Sequence, residues 1–182
     1  MKTVSVGLLS VLLLAVSVRA ASQGVDAAIG RGLGYLARLQ KTDGSFDGGG
    51  RQPDGSADKP GPRMAMTGLS LLAFLSAGHT PDLGRYGLNT GAALEYLLEE
   101  FPEDGYAGRA DGSGMYGQAI VTLALAQVHG VEGDTVQRQR VRAAMDTAVR
   151  IILQAQQAKK SPGHEGGWRY ELPSADSDLS VT

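Results

Sequence analysis

Apolar residues recur in two patterns along the chain, and both predict helices. In the first pattern they stand three and four residues apart with charged residues on the other face, as at Val25, Ile29, Leu33 and Leu36. The same spacing returns near residues 94–101 and 141–152. It is typical of amphipathic helices with one face in water. We therefore expect three helices that lie at the surface.

The second pattern carries no charge. Residues 64–77 (MAMTGLSLLAFLSA) and 115–128 (MYGQAIVTLALAQV) are apolar or small nearly all the way round, which predicts helices buried on most sides. Residues 66–79 also correspond to residues 116–129 when the chain is shifted by fifty positions. Surface and buried helices thus alternate, with a period of roughly 50 to 60 residues per pair, and such a period is the mark of a repeat architecture.

A short turn follows each amphipathic helix and has a common composition: a Gln or Glu, then glycine, then an aromatic residue. Glycine in such a turn accepts a positive φ, and the aromatic ring can fold back and bury its face. We therefore expect a structural turn in three copies, formed by Gln40, Gly44 and Phe46; by Gly105 and Tyr106; and by Gln157, Gly167 and Trp168.

The N-terminus predicts export. Residues 1–20 combine an early lysine, an apolar run from Val6 to Val16 and a Val18-x-Ala20 ending, as in a signal peptide. The run is too short for a membrane span, so we expect it to be removed and the protein to be periplasmic or secreted in a bacterium. The two charge-free segments are also too short to span a membrane, so we expect no transmembrane helix after removal of the signal peptide. Residues 21–182 are then the folded domain, with repeats near 25–79, 87–130 and an incomplete 138–182.

Charge and cysteine content narrow the function classes. The chain has 17 basic and 19 acidic side chains and no large basic cluster, so nothing predicts nucleic-acid binding. It has no cysteine, so an exported fold must rely on its packed core.

The repeated turns and the pattern of buried helices carry a resemblance. Gln40 to Phe46, its degenerate copy from Glu100 to Tyr106, and Gln157 to Trp168 resemble the glutamine-tryptophan repeats of squalene and terpenoid cyclases and protein prenyltransferases. The whole of residues 25–182 is similar to exported bacterial proteins with prenyltransferase and squalene oxidase repeats. The resemblance implies an all-α fold in which helical hairpins form part of an (α/α) toroid. A complete toroid has about twice as many hairpins, so we expect this chain to be an N-terminal fragment or to depend on a partner.

The same resemblance implies a candidate catalytic acid. In the cyclases an Asp-x-Asp-Asp-Thr motif opens an inner helix, and its central aspartate protonates the polyene. Here Asp176 and Asp178 match the first two acids, whereas Leu179 replaces the third. The alternative is that Ser174 or Asp176 caps a new helix and that Asp178 lies in its first turn, where the helix dipole stabilises a carboxylate.

No cofactor is expected. The prenyltransferase relatives hold zinc with Asp, Cys and His, and the lack of cysteine prevents that site. We interpret His79 and His129 as repeat features at the ends of the two buried helices, and His164 as a loop residue. The favoured function is therefore a non-catalytic exported scaffold that binds a protein partner or an apolar, isoprenoid-like ligand. The alternative is a squalene-hopene-type terpenoid cyclase that uses Asp178 as its general acid.

Overall fold

The computed structural model describes residues 24–48, 61–131 and 133–182. These residues form six helices and no strand, so the chain is all-α, as its hydrophobic pattern predicts. The predicted signal peptide lies outside the described residues. The helices are α1 (residues 24–39), α2 (Arg63–Ser76), α3 (Gly87–Glu99), α4 (Ala107–Ala110), α5 (Gly114–Val128) and α6 (Thr135–Gln157).

The described residues from Leu39 onwards form one compact unit, which contains α2 to α6, while residues 24–38 belong to a separate unit. Among the described residues, no helix has the length and apolar character that crossing a membrane requires.

The two charge-free helices, α2 and α5, pack against each other. A Cβ placed on Gly68 would lie 3.2 Å from Ile120 Cγ2 and 3.5 Å from Val121 Cα, and one placed on Gly117 would lie 3.3 Å from Ala65 Cβ. Residues 65 and 68 therefore face residues 117 and 121, so the two helices run parallel. Glycine at the contacts lets the two backbones approach closely.

The amphipathic helices α3 and α6 form a second layer. Helix α3 packs on α2 and α6 packs on α5, and each buries one stripe of its surface. The two outer helices are joined where Glu95 accepts hydrogen bonds from Arg140 (2.6 Å) and Gln137 (2.8 Å). Asp134 caps the start of helix α6, because its carboxylate accepts the backbone N–H of Gln137 at 2.8 Å.

Helices α2 and α5 are buried on most sides, but each leaves one apolar stripe open. Leu69 is 50% exposed, Tyr116 42% and Leu123 51%. Because the helices run parallel and meet at Gly68 and Val121, both stripes lie on the same side, opposite the layer of α3 and α6. We call the surface formed by Leu69, Tyr116 and Leu123 the inner face.

The end of the chain differs from the prediction. We expected a third inner helix to open near Asp176, but residues 158–177 form turns. The Lys160 ammonium donates to the carbonyl oxygens of Ser174 (2.7 Å) and Asp176 (3.3 Å), which occupies backbone acceptors that a helix would use. Helical hydrogen bonding begins only at Asp178, whose carbonyl oxygen accepts the N–H of Thr182 at 2.9 Å.

Candidate functional site

The first turn is held against α3 by glycine and glutamine. Gly44 has φ +85°, and a Cβ there would lie 2.1 Å from the carbonyl oxygen of Ala92. The Gln40 amide donates to the carbonyl oxygens of Gly44 (3.0 Å) and Asn89 (2.9 Å), and its own oxygen accepts from the Asn89 amide. Glycine is therefore needed for its conformation and for the close approach of α3.

The aromatic residue of this turn is fixed to α2. Phe46 is 3% exposed, and its backbone N–H donates to the hydroxyl of Thr67 at 2.9 Å. Its ring lies 6.3 Å from that of Phe74. The turn thus joins α2 to α3.

The second turn repeats these contacts with other residues. Gly105 has φ +85°, and a Cβ there would lie 2.3 Å from Thr147 Cγ2 on α6. Its carbonyl oxygen accepts from the Gln118 amide on α5 at 3.1 Å, and that amide also donates to Ala148 on α6. Tyr106 is 1% exposed, and burial raises the pKa of its phenol. This turn joins α5 to α6.

In the third turn the aromatic residue again contacts a helix, but a glutamine other than the predicted one reaches the turn. The Trp168 indole N–H donates to the carbonyl oxygen of Ile152 on α6 at 3.0 Å, and Gly167 is buried. The amide that reaches the turn is that of Gln156, 3.4 Å from the carbonyl oxygen of Gly166, whereas Gln157 is exposed. The positive φ of 75° lies at Gly166.

The structure does not bring the two candidate acids together in one site. The Asp176 carboxylate pairs with the Arg169 guanidinium at 2.9 Å, and both side chains are more than a third exposed. Asp178 Oδ1 accepts from the backbone N–H of Ser180 (2.8 Å) and from its hydroxyl (2.6 Å), while Oδ2 accepts from the Tyr170 hydroxyl at 3.3 Å.

Asp178 opens the last turn of the chain, which spans residues 179–181. Its side chain accepts the N–H of Ser180 and its carbonyl oxygen accepts the N–H of Thr182, the pattern of hydrogen bonds found at a helix N-cap. The hydrogen bonds from Ser180 lower the pKa of Asp178, so the carboxylate is ionised at neutral pH. An alkene-protonating acid needs the opposite environment. The cap is Asp178 itself, whereas the sequence suggested Ser174 or Asp176.

Asp178 is one of three aspartates with the same local geometry. Asp43 accepts the N–H and hydroxyl of Ser45 (3.0 and 2.7 Å), and Asp111 accepts the same two groups of Ser113. The second oxygen of Asp111 also accepts the N–H of Ala65 at the start of α2, at 3.0 Å. The Asp-x-Ser turn is therefore a recurring way to begin or secure a helix in this fold.

The histidines lie in the turns and loops that follow α2, α5 and α6. His164 Nδ1 accepts the backbone N–H of Ser177 at 2.9 Å, which fixes the loop before Trp168. Within the described ranges, no group of three or more His, Asp or Glu side chains is placed to hold a metal ion.

Two buried residues that hold the turns, Thr67 and Gln118, were not predicted as functional. Both are fully buried polar side chains in otherwise apolar helices. A buried polar group needs a hydrogen-bond partner, so their isolation in the charge-free segments was the available signal. The partners are the backbone groups of Phe46 and Gly105, which no spacing in the sequence indicates.

No family model, curated protein or solved structure matches this chain.

Proposed function

We propose that this chain is an exported repeat scaffold of the squalene-cyclase-like kind, an arc of an (α/α) toroid, that binds an apolar ligand or partner without catalysis. The observation that supports it is the inner face. Leu69, Tyr116 and Leu123 expose about half of their side chains on one side of two parallel helices. Exposed apolar side chains grouped on one side of a protein are typical of binding sites.

The chemistry of the candidate acid supports a binding role over a catalytic one. Asp178 is half-buried, accepts hydrogen bonds from Ser180 and has a lowered pKa. Asp176 is neutralised by Arg169. Asp178 is therefore not in the dry, protonated state that alkene protonation requires.

One observation favours the alternative, a terpenoid cyclase with Asp178 as the acid. The rings of Tyr116 and Tyr170 lie 5.7 Å apart, and the Tyr170 hydroxyl contacts the Asp178 carboxylate. Aromatic faces stabilise cations, so a carbocation formed near Asp178 would meet two of them.

Squalene binding by equilibrium dialysis tests the scaffold. Leu69→Glu and Leu123→Glu place a charge on the inner face and are expected to weaken binding at least tenfold. Leu88→Glu is the matched control, because Leu88 is 82% exposed on the outer helix α3. Equal binding by all three variants, or no binding by the unmodified protein, would contradict the apolar-ligand proposal.

Product analysis distinguishes the cyclase alternative from the scaffold. We expect no cyclised product after incubation with squalene. Turnover that Asp178→Asn abolishes would establish the cyclase and overturn the scaffold proposal.

A further inference from the structure

A second apolar site, a half-open recess, lies beside the inner face. It has a volume of about 160 Å³ and is lined by Met115, Ala119, Ile152, Trp168, Val181 and Thr182. Met115 and Ala119 come from α5, Ile152 from α6 and the rest from the final segment of the chain. The recess therefore sits between the two helix layers.

The side chains that line the recess are apolar or have their polar atom in a hydrogen bond. The Trp168 indole N–H is bound to Ile152, and the Thr182 hydroxyl exchanges hydrogen bonds with the backbone of Trp168 (3.0 and 3.3 Å). No lining residue has an ionisable side chain. A polar ligand would find no free side-chain donor or acceptor here in exchange for its water contacts, which is unfavourable.

The size of the recess fits a small hydrocarbon. Apolar protein cavities of about 150 Å³ stay dry and take up benzene. Trp168 supplies a broad aromatic surface and Met115 an adaptable one. Both side chains are held by the core cluster of Tyr106, Met115, Ile151 and Ala155, against which Trp168 and Val181 pack.

We infer that this recess is a binding site for a small uncharged hydrocarbon group of about six to ten carbon atoms, with Trp168 as its main contact. The recess borders the inner face at Ala119, but Leu69 on α2 does not line it, so the two sites can be tested separately. The bound group can be a free aromatic molecule or a branch of a larger apolar ligand.

Toluene titration monitored by tryptophan fluorescence tests the inference. Trp168 is the single tryptophan of the chain, so the signal reports this site. We expect a saturable change with half-saturation on the order of 1 mM, the range of a seven-carbon ligand. A longer ligand such as hexadecane tests whether a chain end enters the same recess, by competition with toluene.

Two alanines on one face of α5 provide a matched pair. Ala119 lines the recess, whereas Ala126 lies two turns further on and is exposed. Ala119→Leu fills the recess and is expected to weaken toluene binding at least tenfold, while Ala126→Leu leaves it unchanged. Far-UV circular dichroism confirms that both variants fold.

Linear, non-saturable quenching by toluene would overturn the inference, and so would equal titration curves for the two variants. Leu69→Glu separates this site from the inner face. It is expected to lose squalene binding and keep the toluene response.

Discussion

Two glycines with the same backbone conformation predict different responses to alanine. Gly44 has φ +85° and Gly78 has φ +82°, so an alanine side chain meets a similar conformational penalty at both. A Cβ on Gly44 would lie 2.1 Å from Ala92 O, whereas Gly78 has open space within 4 Å. The difference between the two variants therefore isolates the contact between the turn and α3.

The magnitudes follow from these contacts. The left-handed conformation costs a non-glycine residue about 1–2 kcal/mol, which is the expected destabilisation for Gly78→Ala. In Gly44→Ala the new methyl group must move about 1 Å to reach normal contact distance, and such overpacking adds about 1–3 kcal/mol. We expect urea unfolding, followed by circular dichroism, to show this extra loss for Gly44→Ala.

The second turn allows a rescue that the first does not. A Cβ on Gly105 would meet the Thr147 methyl group at 2.3 Å, whereas the obstacle at Gly44 is backbone. Thr147→Ser removes that methyl group and is expected to recover about 1 kcal/mol of the loss in Gly105→Ala. The reasoning fails if Gly44→Ala destabilises no more than Gly78→Ala, or if Thr147→Ser leaves the Gly105→Ala loss unchanged.

Two further predictions concern polar groups in the turns. Gln118→Leu removes two hydrogen bonds to buried carbonyl oxygens, but it also removes a buried amide oxygen that has no partner. We expect urea unfolding to show a net loss of stability of about 1–3 kcal/mol. The control Gln127→Leu, at an exposed position of the same helix, should cause no significant change. Hydrogen bonds from Ser45 lower the pKa of Asp43 to about 2, so its stabilisation is present above the unfolded pKa near 4 and is lost as the pH falls towards 2. Because Asp43 is half exposed, this is at most about 1 kcal/mol. The stability gap between the unmodified protein and Asp43→Asn should narrow between pH 5 and pH 2.5, and a gap independent of pH would contradict the assignment.

The pattern of apolar and charged residues predicted every described helix except the short α4, because burial of apolar residues sets their spacing. The charge-free segments 64–77 and 115–128 correspond to α2 and α5 within one residue at each end. Gly44 and Gly105 have the positive φ that the turn composition predicted, whereas in the third turn the positive φ lies at Gly166 and not at the predicted Gly167.

The contacts of the turns could not be predicted, because they depend on which helix lies beside each glycine. Nothing in the sequence indicates that Gly44 meets Ala92 or that Gln118 reaches Gly105. The end of the chain was mispredicted for a similar reason. Lys160 binds the carbonyl oxygens of Ser174 and Asp176, so the helical turn begins two residues later than Asp176.

The central claim is that α2 and α5 form a parallel inner layer, and a disulfide tests it most directly. The chain has no cysteine, so Gly68→Cys with Val121→Cys creates a single possible bond. A Cβ on residue 68 lies 3.5 Å from both Val121 Cα and Cγ2, close enough for a bridge. The account predicts a monomeric disulfide on mild oxidation, seen by mass spectrometry. It predicts none for Gly68→Cys with Val128→Cys, two turns further along α5. Bridging of the second pair in preference to the first would contradict the parallel register.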